Sequence, residues 1–324
     1  NIDIWTRDNL VLRITPRFNK EVNDHWMPDS GREAYKLFNE NRVDRPSIKL
    51  DADNQAKTSW SNALQTLAEH LEGRKPKDVL VIGSPHASLE ENYALQRFFN
   101  LWGVNDIHYT EHIEVGAGDD LLLTDDQAPN TTGCELLGMK KLTAEELKAA
   151  AKDAKTVILL SDHLMDRGVI APKDVSRKFK VVFATNYSDT TAKADLLIPI
   201  TCIAEHAASY VNIDGRIQRS VPAKETVYSN RSLNLEMSAG RLDRYGTNFD
   251  NWVSDDNKVD CKPLWESLNE LAEAMSLDIT FGSSREIMAE IAQQNPVFEG
   301  VSYLRMDEEN GIVLKKTGAQ EATA

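Results

Sequence analysis

Strand-length apolar runs alternate with amphipathic helical patterns through the middle of this chain, and that order constrains its fold most. Asp78-Val-Leu-Val-Ile-Gly83 turns at Gly83-Ser-Pro85 and leads into a helical pattern from about Leu89 to Leu101, closed by Trp102-Gly103. A strand-like run begins again at Asn105–Tyr109. Further on, Thr143 and Glu146 form a capping-box pair before Leu147, Ala150 and Ala151, and three more apolar runs follow at Thr156–Leu160, Lys180–Ala184 and Asp195–Pro199. Strand, helix, strand in this order is the signature of a parallel sheet.

The flanks read differently. Residues 1–17 predict two short strands around a turn at Arg7-Asp8-Asn9, and residues 18–50 a covering loop with a short helix near Glu33–Asn39. Asn1 already sits in a strand with no start methionine, so the chain is expected to be a piece of a longer polypeptide. Thr58 or Ser59 caps a helix carrying Ala63, Leu64, Leu67, Ala68 and Leu71, ended by Gly73. Residues 114–141 read mostly as loop. Two helical patterns lie near Pro263–Ser276 and Ser284–Gln294, and Thr317–Ala324 reads as a loose polar tail.

Charge and cysteine usage remove several classes. With 37 Lys+Arg against 51 Asp+Glu the net charge is −14, which opposes a phosphate backbone and makes nucleic acid an unlikely partner. The apolar runs are of strand length, far short of the roughly 20 residues a spanning helix needs, so direct membrane insertion is not expected. Cys134, Cys202 and Cys261 are widely spaced and form no C-x-x-C, so they read as three buried or surface thiols rather than ligands of zinc or a cluster.

Among local motifs, the Gly83–Ser88 turn sits where α/β sheets bind ligands, yet only Gly83 of a three-glycine dinucleotide fingerprint is present and Pro85 has no N–H. No Walker A sequence occurs and no G-x-S-x-G elbow. His108-Tyr-Thr-Glu-His112 matches H-x-x-E-H, but in a strand the two imidazoles lie about 13 Å apart, too far to share one metal ion. The acidic pairs Asp119-Asp120, Asp125-Asp126 and Asp255-Asp256 read as solvated loop charges. The most informative stretch, Ala194–Arg219, is a buried strand broken by Pro199, then Glu205, then a small hairpin around Asp214-Gly215 edged by Asn212, Arg216 and Gln218.

That stretch resembles the molybdopterin oxidoreductase family, whose pattern runs A-D-[VIL]-x-L-P-x-x-x-x-x-E and then N-x-E-G-R-x-Q. Ala194, Asp195, Pro199, Glu205, Asn212, Gly215, Arg216 and Gln218 fall on it in register, with Asp214 at the acidic position. Three further segments are similar to the branch of that family in the G subunits of bacterial NADH–quinone oxidoreductase, respiratory complex I. They are the strand pair and Trp26–Arg32, the loop Pro129-Asn130-Thr-Thr-Gly133, and the closing helices from Pro263 to Tyr303.

The resemblance implies an α/β fold of two Rossmann-like lobes with mostly parallel sheets, like domains 1–3 of formate dehydrogenase and DMSO reductase. Its expected divisions are a remnant of the N-terminal iron–sulfur β lobe at 1–44, a first α/β lobe at 45–141, a second at 142–235, and a C-terminal helical segment at 236–324 packing back on the first. Ancestral pterin-site candidates are Glu205, Asn212, Gly215, Arg216, Gln218, Gly83 and Ser84. Two departures imply that the fold has lost its cofactor. Pro28 stands where the family usually places a cluster cysteine, and no β-barrel lid follows by residue 324.

The expected role is therefore structural, with no catalytic residue, metal or cofactor in this stretch. The 4Fe–4S and 2Fe–2S clusters are expected in upstream domains, the partners are other peripheral-arm subunits of complex I, and the setting is the cytoplasmic face of the bacterial inner membrane. The alternatives are a fragment of an active molybdopterin enzyme such as a formate dehydrogenase, with Glu205, Asn212, Arg216 and Gln218 lining the pterin, and a free-standing ligand-binding module that uses the Gly83–Ser88 turn.

Overall fold

The computed structural model describes residues 1–51, 54–119, 122–229 and 257–314. The expected loose tail at 317–324 lies outside them, as does most of the stretch between the hairpin and the closing helices. The chain opens with an antiparallel pair, β1 (Ile2–Arg7) and β2 (Leu10–Pro16), joined by Asp8 and Asn9 at φ 51° and 60°. Both turn residues lie in the left-handed region, which Asp and Asn tolerate better than most side chains. A short helix α1 (Asp29–Glu33) continues into a 3₁₀ turn at Ala34–Phe38.

The body is one eight-stranded sheet of order β4-β3-β10-β9-β8-β5-β6-β7. Its parallel strands are β5 (Val79–Ile82), β6 (Ile107–Tyr109), β7 (Lys140–Lys141), β8 (Thr156–Leu160), β9 (Phe179–Ala184) and β10 (Leu196–Pro199). Two short strands, β3 (Ser47–Lys49) and β4 (Gln55–Lys57), pair antiparallel on one edge. The mixed α/β class is as expected, but the strands assigned to separate lobes at 45–141 and 142–235 hydrogen-bond into one sheet. The reason is the return crossover from β7 to β8, which lays β8 beside β5, Val79 to Thr156 through Ile82 to Leu159. The order therefore runs outward from β5 in one direction and from β8 in the other, which opens a crevice at their carboxyl ends.

Both faces of the sheet are covered. Val157 and Leu159 face one core with Leu80, Ile82, Val182 and Leu197, whereas Ile158 and Leu160 face the other with Val81, Val181, Phe183 and Ile198. That alternation explains why the strands read as continuous apolar runs. Helix α2 (Trp60–Glu72) is capped by Ser59, and α3 (Leu89–Trp102) ends at Gly103 with φ 113°, a left-handed cap that glycine adopts without strain. The short α4 (Thr131–Leu136) lies in the stretch expected to be mostly loop, and α5 (Ala144–Asp153), in the crossover to β8, carries the predicted capping box. Helix α6 (Asp189–Ala192) leads into β10.

An antiparallel second sheet is built from β11 (Ala208–Val211), β12 (Arg216–Ser220) and β13 (Ile312–Val313). Helices α7 (Leu264–Ala274), α8 (Ser284–Gln294) and α9 (Tyr303–Glu308) complete the described chain. Leu264, Leu268 and Leu271 of α7 and Ile287, Met288 and Ile291 of α8 join the core that holds α2 and α3.

The Pro129–Gly133 loop is held by one buried side chain. Asn130 Nδ2 donates to Ala87 O at 3.0 Å, its Oδ1 accepts from Val211 N at 2.9 Å, and its own N–H reaches Pro85 O at 3.0 Å. A Cβ on Gly133 would meet Asn130 Oδ1 at 2.0 Å, so only glycine leaves room for this amide. Gly133→Ala is expected to destabilise by about 1–3 kcal/mol, as overpacking does. The midpoint of urea denaturation measures it, and an unchanged midpoint would show that the loop yields without cost.

Candidate functional site

The crevice at the carboxyl ends of β5, β8, β9 and β10 is the fold's natural ligand position. It has a volume of about 360 Å³ and is lined by His86 from the first turn, Glu91 from α3, Ser161 and His163 after β8, and Thr201 and His206 after β10, with apolar walls that include Phe38 and Ile203. Ser161 holds φ 43°, an uncommon conformation for a non-glycine residue and one that clusters at functional positions. A neighbouring cavity of about 490 Å³ lies between the β1 strand and the β11–β12 hairpin, and Pro129, Ile203 and Tyr210 line both.

The turn after β5 is closed on itself. Gly83 N–H donates to His108 O, Ser84 N–H to Asn92 Oδ1, His86 N–H to Ser84 Oγ, Ala87 N–H to Ser84 O and Ser88 N–H to Glu91 Oε2. Pro85 has no N–H. A Cβ on Gly83 would fall 2.4 Å from Met139 Cε and 2.5 Å from Asn92 Oδ1, so this glycine serves close packing rather than approach by a ligand. Phosphate-binding turns work by aiming free N–H groups at the anion. Here each is consumed, and the Glu91 carboxylate completes a capping box with Ser88 at the α3 N-terminus, where an anion would otherwise sit.

The candidates from the resemblance do not converge on one ligand. Glu205 is sealed in a bidentate pair with Arg42, Oε1 and Oε2 each 2.6 Å from the guanidinium, and also accepts from Cys202 N–H at 3.0 Å. Burial alone would raise its pKa, but Arg42 outweighs that and holds the carboxyl below its ordinary 4.5. Arg42 further donates to Thr185 O, tying the loop before β3 to the end of β9. The Cys202 thiol, 3.5 Å from Arg42, is pushed up to about 12 by burial and by Glu205, an inert rather than a reactive setting.

Asn212, Gly215, Arg216 and Gln218 shape and anchor the hairpin. Asn212 Oδ1 accepts from Asp214 and Arg216 N–H, and Gly215 takes φ 76° in the turn. Arg216 donates to Gly311 O and pairs with Glu21, while Gln218 donates to Asn1 Oδ1 and Asn310 O. Asn212, Arg216 and Gln218 line the hairpin cavity, apart from Glu205, Gly83 and Ser84.

Sequence reasoning missed a polar cluster behind the crevice. The guanidinium of Arg167 donates to His112 Nε2 at 2.7 Å. A guanidinium only donates, so that nitrogen accepts and the Nδ1–H of His112 faces His86 Nε2 at 2.8 Å. Asp162 accepts from Thr110 and Arg167. Burial first, then His112, brings His86 down to about 4. The H-x-x-E-H reading found one of these imidazoles; its partner comes from the β5 turn, which no local spacing reveals. Glu90 was also missed. It is buried and accepts from Ser209 N–H, Ser209 Oγ and Tyr303 OH. The Ser88-x-x-Glu91 spacing was the one legible signal here.

Among the described residues no group of three or more His, Cys, Asp or Glu is arranged to hold a metal. Residues 1–36 contain no cysteine, and the three cysteines at 134, 202 and 261 are each buried and free. Residues 1–36 thus supply no thiolate for an iron–sulfur cluster, and the closed β5 turn offers a pterin diphosphate none of the N–H groups named above.

The fold is similar to that of a solved enzyme. Acetylene hydratase from Pelobacter acetylenicus superposes with a TM-score of 0.62 over 97% of this chain and 72% of its own, at 9% identity. Residues 42–138 match the molybdopterin oxidoreductase family, and residues 1–36 match the NADH-ubiquinone oxidoreductase NDSU1/NuoG-like, 4Fe-4S domain. Two consecutive segments of the chain are thus similar to that family and to that domain.

Its relatives by sequence are complex I subunits. The G subunit of NADH-quinone oxidoreductase from Rickettsia conorii is 34% identical over 106 residues, 33% of this chain and 16% of that protein. The corresponding G subunit from Pseudomonas fluorescens is 42% identical over 116 residues, 36% of this chain and 12% of that one. The mitochondrial NADH dehydrogenase [ubiquinone] iron-sulfur protein 1 of Solanum tuberosum is 32% identical over 108 residues, 33% of this chain and 14% of its own. The matched stretch thus spans 16% or less of the length of these relatives.

Two outcomes follow from the buried charges. Arg42→Leu strands Glu205 without its partner and is expected to cost about 3–5 kcal/mol at neutral pH, read from urea denaturation. Because the folded pKa of Glu205 is depressed, its stabilisation is present above 4.5 and is lost as pH falls through the lower folded value, so the gap between wild type and variant narrows in acid. His86 has the opposite sense of charge. Its unfolded imidazole takes a proton near 6.5 while the folded one waits until about 4, so it lowers stability as pH falls through that window. His86→Gln is expected to flatten this part of the stability–pH curve, and an unchanged slope would refute the assignment.

Proposed function

We propose that this chain is a cofactor-free scaffold in the peripheral arm of a bacterial NADH–quinone oxidoreductase. It braces and shields the part of the G subunit that carries the 4Fe–4S and 2Fe–2S clusters. It contacts neighbouring peripheral-arm subunits at the cytoplasmic face of the inner membrane, and performs no bond chemistry itself. The observation that carries this reading is the closed β5 turn. Its N–H groups are all spent within the chain, and a carboxylate occupies the helix N-terminus that a phosphate would need.

Three further observations support it. The donor set of residues 1–36 holds no thiolate, with Pro28 at the usual cluster position. Residues 1–37 carry exposed apolar side chains at Trp5, Leu12, Phe18, Trp26 and Leu37, which suit contact with other protein. None of the described helices is long and apolar enough to cross a membrane, which agrees with attachment through other subunits. The alternative of an active formate dehydrogenase-type fragment needs Glu205, Asn212, Arg216 and Gln218 on one pterin, and their separate engagements speak against it.

Elemental analysis of the purified host complex tests the reading. Iron is expected in the stoichiometry of the upstream clusters, with no stoichiometric molybdenum or tungsten. One atom of either metal per copy of this chain would overturn it.

A further inference from the structure

The crevice that no longer suits a pterin diphosphate still has a distinct polar character. Four residues that line it, Glu91, His163, Thr201 and His206, each carry a buried side-chain atom with no hydrogen-bond partner among the described residues. Glu91 is 3% exposed, Thr201 2% and His206 7%. Such atoms are costly inside a protein unless something else satisfies them.

Their chemistry has a direction. Glu91 Oε2 accepts from Ser88 N–H and Oγ, which leaves Oε1. His206 Nδ1 lies 3.0 Å from Cys202 O. A carbonyl only accepts, so that nitrogen carries the hydrogen; in the Nδ1–H tautomer Nε2 is an acceptor, and it lies 3.8 Å from Glu91 Oε2. The Thr201 hydroxyl serves in either sense. Among the described residues this imidazole is the one basic group at ion-pair distance from Glu91. Arg42 and Arg167 are engaged with Glu205 and Asp162. Leu37, Phe38, Ile200, Ile203 and Tyr210 supply apolar wall in a space of about 360 Å³.

We propose that this crevice binds a small organic cation with N–H donors, an amidinium or primary ammonium, its charge on Glu91 and a further N–H on His206, its apolar part against Phe38, Ile203 and Tyr210. The site takes the opposite charge from the family's diphosphate-bearing cofactor, and it stands or falls independently of the metal content of the host complex.

Titration calorimetry of the purified protein with benzamidinium chloride tests this, with sodium benzoate as the anion of the same shape. Benzamidinium is expected to saturate one site and benzoate to give no binding heat. Glu91→Gln keeps a side chain that still caps α3, so the variant is expected to fold while binding weakens by about tenfold or more, as for a lost charge-assisted pair. His206→Phe checks the second contact and is expected to weaken binding without abolishing it. Absence of benzamidinium binding at millimolar concentration, equal affinity of folded Glu91→Gln, or comparable binding of benzoate would each overturn the proposal.

Discussion

Two buried carboxamides hold the ligand edge of this sheet shut. Asn92 reaches back from α3 to take the N–H of Ser84 and to give its own hydrogens to the carbonyls of Ser84, Ala87 and Ser88. Asn130 meets the same turn from the other side and carries it to β11. A fully paired amide in a dry site is rigid, because every alternative arrangement strands a donor or an acceptor. The chemistry of the crevice follows from this closure. With the backbone N–H groups spent, side chains set its character, and they are weighted toward acceptors.

The parallel body was legible because its signals are local. The runs at Asp78–Gly83, Thr156–Leu160 and Lys180–Ala184 are apolar on both faces, and Ser59, Gly103 and Thr143 mark helix ends by chemistry that acts within three or four residues. Strands β3, β4 and β7 were not legible. They are two or three residues long and owe their form to neighbours already in place. The merging of two expected lobes into one sheet was hidden for the same reason. Nothing between Lys141 and Thr156 says that β8 will lie beside β5.

The site was legible as a list of residues and not as an arrangement. Glu205 and Arg216 stood out by register, yet their partners Arg42 and Glu21 are distant in sequence and lay in a stretch read as covering loop. Glu90, Glu91 and Asn92 fell at the start of a helical pattern, with nothing local to mark them as buried. All three are buried: Ser209 of the second sheet and Tyr303 of α9 supply hydrogens to Glu90, while Glu91 and Asn92 bond back to the turn after β5. Long-range closure of this kind turns ordinary helix-start residues into the most constrained polar groups of the molecule.

The edge of the large sheet carries a consequence of its own. Its last parallel strand, β7, is only Lys140-Lys141, both side chains in solvent, with Lys140 paired to Asp106 and Lys141 to Glu111. A row that short and that charged offers no template for another backbone to zip onto. A neighbour meeting this border would therefore dock by side-chain complementarity, and runaway strand pairing is blocked there.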